Sequence, residues 1–137
     1  GDTVERAVRL TRAGTTEGFG SVALTTTSAA AAPSILTSDS MNGLQLSIDQ
    51  CATAWVKVAD SKRMTCGGEV TSIVSAVPVV GANRDLAQVT TALNGTAKVS
   101  NLRITLALPQ AADNTFQLKT DTVKFVFDAT QRAAEAR

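Results

Sequence analysis

Apolar and polar residues alternate with a period of two over several short stretches, the repeat of a strand that buries one face. Over Thr3–Thr11 the positions Val4, Val8 and Leu10 are apolar, while Thr3, Glu5, Arg9 and Thr11 are polar and Arg6 interrupts the apolar side. Residues 13–18 supply Gly and Thr for a turn, and residues 19–27 read as a second strand with Val22 and Leu24 on one side. These two stretches are expected to pair as a hairpin. Residues 28–34 form an Ala-rich link broken by Pro33, too short for a stable helix, and read as a crossover. Asn42-Gly43 is a turn dipeptide ahead of Leu44-Gln45-Leu46-Ser47-Ile48-Asp49, whose alternation makes it a strand.

Residues 51–58 continue as a bulge and strand carrying Trp55, and residues 67–80 form a further extended stretch ended by Gly81. The spacing Leu86, Val89, Leu93 fits a short helix, yet Asn94-Gly95 would equally turn a hairpin into residues 96–99, and the pattern leaves both open. Leu102, Ile104, Leu106 and Leu108 alternate with Asn101, Arg103, Thr105 and Ala107. Val123, Phe125 and Phe127 alternate with Thr122, Lys124 and Asp128 in the same way. Both strands are expected at the centre of the core. Several short strands with turn signals between them describe one all-β domain over residues 1–137, a jelly-roll or Greek-key β-sandwich with at most a short helix.

Composition narrows the function more than the fold. Hydrophobic residues make up 44% and charged residues 18% of 137 residues, which is neither a disordered polyampholyte nor a chain with the roughly 18-residue apolar run that spans a bilayer. Thirteen basic and 12 acidic residues leave a net charge of +1, too weak a field to draw in a phosphate backbone, so no nucleic-acid partner is expected. Arg6, Arg9 and Arg12 scatter over both faces of a strand and make no basic stripe. His and Tyr are absent, which removes the commonest general base and the commonest neutral metal ligand. No zinc-peptidase set, activated nucleophile or cofactor loop can be assembled, so neither enzymatic activity nor a cofactor is expected. Asp113-Asn114 and Asp121 carry oxygen donors, but the alternating acids of a calcium loop are missing and Asp-Asn is an ordinary turn former. Asn94-Gly95-Thr96 is a formal N-glycosylation acceptor and equally a turn.

Cys51 and Cys66, with no His nearby and no Cys-x-x-Cys spacing, lack the ligands for zinc. A disulfide is the plainer reading, two free buried thiols the alternative; the bridge would close a loop of about 15 residues and place the chain in an oxidising compartment. The chain begins at Gly1-Asp2 without a basic and apolar leader, so a secretory signal, if there was one, has been removed.

Four ordered segments carry a resemblance. They are residues 42–55 (Asn42-Gly43-Leu44-Gln45-Leu46-Ser47-Ile48-Asp49-Gln50-Cys51-Ala52-Thr53-Ala54-Trp55), Thr65-Cys66-Gly67-Gly68, residues 102–109 with Asp113-Asn114-Thr115-Phe116-Gln117, and Thr130-Gln131-Arg132. Together they resemble the TasA/camelysin family of secreted proteins in its actinobacterial branch. The resemblance implies a jelly-roll sandwich with a disulfide, export, and assembly into extracellular filaments of the biofilm matrix. The metallopeptidase label attached to the camelysin name has no His here onto which it could be carried. Gly1-Asp2-Thr3-Val4 resembles an internal point of the family pattern, so a donor strand is expected either ahead of it or in residues 1–12, where Val4, Val8 and Leu10 would form the subunit interface. The expected partner is a second copy, with accessory matrix proteins or the cell wall beside it and no membrane once the signal is gone. The competing expectation is a monomeric cell-surface module for adhesion or carbohydrate binding, for which four Phe and one Trp leave few exposed aromatic platforms.

Overall fold

The structure, a computed structural model, describes residues 3–13, 18–28, 39, 41, 43–61, 63–108 and 123–131. Its elements in chain order are β1 (Thr3–Thr11), β2 (Phe19–Ser28), β3 (Gln45–Cys51), β4 (Trp55–Lys57), β5 (Met64–Cys66), β6 (Val70–Pro78) and β7 (Gly81–Asp85). The helix α1 (Ala87–Leu93) and the strands β8 (Val99–Ala107) and β9 (Val123–Gln131) complete them.

Alternation places the core. Val22, Leu24 and Thr26 of β2, Leu46 and Ile48 of β3, and Ser100, Leu102 and Ile104 of β8 are buried at every second position. With Val79, Leu86, Val89 and Leu93 the apolar members form one contiguous cluster between two antiparallel sheets. One sheet has the order β1-β8-β3-β6 and the other β7-β2-β9, so no two neighbours in either are consecutive in sequence. That is the crossover pattern of a jelly-roll or Greek-key sandwich. The consecutive pair β4–β5 forms a separate two-stranded hairpin.

Two sequence expectations are corrected. β1 and β2 do not form a hairpin: β1 pairs with β8 from Thr3↔Ala107 to Thr11↔Val99, while β2 lies in the other sheet between β7 and β9. A hairpin would set both strands in one layer, whereas in opposite sheets Val8 and Leu10 of β1 and Val22 and Leu24 of β2 pack on one core between them. β8 is central as expected, but β9 is an edge strand paired with β2 alone, and Val123, Phe125 and Phe127 are half-buried.

The stretch left open by the spacing Leu86, Val89, Leu93 is a helix over Ala87–Leu93. Leu86, at its N-cap, makes no side-chain cap, and the first turn carries no acid, so local signals contribute little. Burial of Leu86, Val89 and Leu93 and bonds to β2 hold it instead: Leu86 N donates to Val22 O at 2.8 Å, and Val22 N donates to Thr90 Oγ1 at 3.0 Å.

A tight connection from β6 to β7 closes one long side of the sandwich. There the buried Thr26 hydroxyl donates to Val79 O and accepts from Arg84 Nη1 at 3.1 Å, while Arg84 Nη2 donates to Pro78 O. Burial lowers the pKa of this guanidinium from the ordinary arginine value. A Cβ on Gly81 would push this guanidinium aside. The opposite long side has no such closure among the described residues, and it is flanked by the edge strands β1 and β9.

Candidate functional site

On that side the two sheets part around an apolar groove of about 360 Å³. Val4, Arg6 and Val8 of β1, Ile104 and Leu106 of β8, and Phe125 and Phe127 of β9 line it. β1 and β9 each pair on one flank only, so their other flanks carry main-chain donors and acceptors not used by a described ladder. The groove thus offers apolar contact and a sheet edge together, which are the two requirements for accepting an extended peptide. Arg6, the one charged lining residue, is exposed.

Of the three expected interface residues, the structure brings two to the groove. Val4 is 40% exposed and Val8 half-buried on its wall, whereas Leu10 is half-buried against the core and does not line it. All three belong to a strand fully laddered within its own sheet.

The outer face of that same sheet carries a polar cluster beneath the β4–β5 hairpin. Cys51, at the end of β3, and Cys66, at the end of β5, are joined by a disulfide with a Cα–Cα distance of 5.7 Å. The bond folds the hairpin back onto the sheet. Glu5 of β1 is only 5% exposed, and its carboxylate accepts from Met64 N at 2.7 Å and lies 3.8 Å from Arg103 Nη1 and 4.0 Å from Arg63 Nε. Arg103 in turn donates to Asp49 at 2.7 Å and to Met64 O at 3.4 Å, and its guanidinium stacks 4.6 Å from the Trp55 ring centroid. Trp55 Nε1 donates to Asn101 O at 2.9 Å. The sequence reading did not single out Glu5, Asp49 or Arg103. The available signal was their position opposite the apolar register of three strands, which has meaning only once those strands are known to be neighbours.

Trp55 is engaged by Arg103 on its face and Asn101 at its nitrogen. The Asn94 carboxamide accepts from Phe19 N and donates to Phe19 O, both at 2.8 Å, tying the helix end to the start of β2. Asp113, Asn114 and Asp121 lie outside the described residues. Among the described residues no group of three or more His, Cys, Asp or Glu gathers around a common point, and no helix is long and apolar enough to cross a membrane.

Comparison with protein-family models, curated proteins and solved structures found no match to this chain. The resemblance to the TasA/camelysin family therefore rests on the sequence segments quoted above.

Proposed function

We propose that this chain is a secreted, non-enzymatic structural subunit that polymerises into extracellular filaments by strand addition between copies. The observation that carries the reading is the groove between β1 and β9, apolar along its walls and bordered by two sheet edges. An extended segment of a second copy laid along either edge would gain main-chain ladder bonds and bury alternate apolar side chains, each contributing roughly 1.5–3 kcal/mol when fully buried. Head-to-tail contacts of this kind grow into fibres where the rotation between copies does not close a ring. The disulfide suits an oxidising, extracellular setting. The resemblance to the TasA/camelysin family points to the same assembly, with a second copy as the main partner and matrix proteins or the cell wall as accessory ones.

Negative-stain electron microscopy of the purified chain, paired with sedimentation, tests the reading. Long filaments of uniform width are expected. A monodisperse monomer that binds glycans would replace it with the adhesion-module reading.

A further inference from the structure

We infer that the β4–β5 hairpin is a redox-controlled clasp over β1, and that reducing Cys51–Cys66 loosens β1 within its own sheet. β1 is an edge strand with a ladder on one flank, and of its nine residues Glu5 alone is buried. Val4, Arg6 and Val8 face the groove, so the Glu5 side chain stands on the opposite face, under the hairpin. A carboxylate buried to this degree needs donors, and the described ones are Met64 N of β5, Arg103 and Arg63. Met64 is gripped at both its main-chain groups, its N–H by Glu5 and its carbonyl by Arg103. The hairpin is therefore a strap across β1, β8 and β3.

Two strands of three residues do not make a stable hairpin alone. The disulfide ties its base to β3, beside the Ala52 N–Glu69 O bond and the Trp55 contacts with Asn101 and Arg103. Cys51 is 2% exposed, but Cys66 is half-buried on the outer side, where a small thiol can reach it. A dithiol reductant breaks the S–S bond, transfers two electrons and two protons to give the Cys51 and Cys66 thiols, and closes to its own cyclic disulfide. The hairpin then loosens over Glu5, and β1 keeps its ladder to β8 and the packing of Val8 and Leu10 against the core. β3 and β8 each keep ladders on both flanks.

Amide hydrogen exchange on the dilute monomer tests the clasp without requiring filaments, so its failure is separate from a failure of the filament reading. On treatment with dithiothreitol the slow amides of β1 are expected to exchange at least about tenfold faster while those shared by β3 and β8 keep their protection. The same local loosening is expected in the oxidised Glu5→Gln variant, which keeps the side-chain volume and loses the charge. Unchanged protection of β1 after reduction, or an equal rise across β1, β3 and β8, overturns the clasp. A Glu5→Gln chain with β1 as protected as in the parent also overturns it.

Discussion

The main-chain amide of Met64 donates to the buried carboxylate of Glu5 at 2.7 Å, joining positions 59 residues apart. The bond crosses from a disulfide-tethered hairpin to the edge strand of a sheet, and Arg103 supports it from below while holding Asp49 and the face of Trp55. Replacing Glu5 with Ala leaves the Met64 N–H without its acceptor and Arg103 without one of its two carboxylates. Loss of a hydrogen bond to a charged group costs roughly 1.5–3 kcal/mol, more when a partner stays buried, so a destabilisation of about 2–3 kcal/mol is expected. Urea denaturation measures it. A change below about 0.5 kcal/mol would show the cluster to be energetically idle.

Removing the disulfide acts on the unfolded chain as well as on the hairpin. The bridge spans a sequence separation of 15, for which the chain-entropy model gives about 3 kcal/mol. The Cys51→Ala, Cys66→Ala double variant is expected to unfold at lower urea by that order. Free-thiol titration of the denatured, unreduced parent should find no titratable thiol.

Asn94 is where a local turn signal and a long-range bond coincide. Its carboxamide faces the Phe19 peptide as a strand neighbour would, giving one bond and taking one. Asn94→Asp retains the acceptor and loses the donor to Phe19 O, and Asn94→Ala loses both. Expected losses in urea denaturation are about 1 kcal/mol for the first and about 1–3 kcal/mol for the second. The order Asp before Ala distinguishes a two-bond brace from a simple turn preference.

Strands with uninterrupted alternation were readable in the sequence: Leu46 and Ile48, Leu102 and Ile104, and Val22 and Leu24 are buried as the period of two requires. Their neighbours were not. Pairing of β1 with β8, and of β2 with β7 and β9, follows from covering two apolar faces at once, a non-local condition that adjacent turns do not encode. The helix at residues 87–93 was undecided for a related reason, since its caps are weak and packing of Val89 and Leu93 makes the choice. Glu5 reads as one polar position among several on β1, and nothing near it in sequence announces that a hairpin from residues 55–66 lands on it. The groove was partly legible: Val4 and Val8 lie on its wall, while Leu10 belongs to the core and the opposite wall comes from Phe125 and Phe127.

The groove makes a prediction in which folding and assembly separate. Val4 is 40% exposed at the rim, so an Asp there meets water in the monomer and should change stability by no more than about 0.5 kcal/mol. Val8 is half-buried against the core, and Val8→Asp brings a carboxylate toward apolar neighbours at a cost of roughly 1–3 kcal/mol, enough to confuse unfolding with loss of assembly. Val4→Asp is therefore the informative substitution. In a filament the neighbour's strand would cover the rim and strand that charge without a partner. Val56, 59% exposed on β4 and outside the groove, supplies the control. Val4→Asp is expected to keep the parental circular dichroism and urea midpoint yet form no filaments under the microscope, while Val56→Asp forms them normally. Filaments of ordinary length and width from Val4→Asp would place the joint between copies somewhere other than this groove.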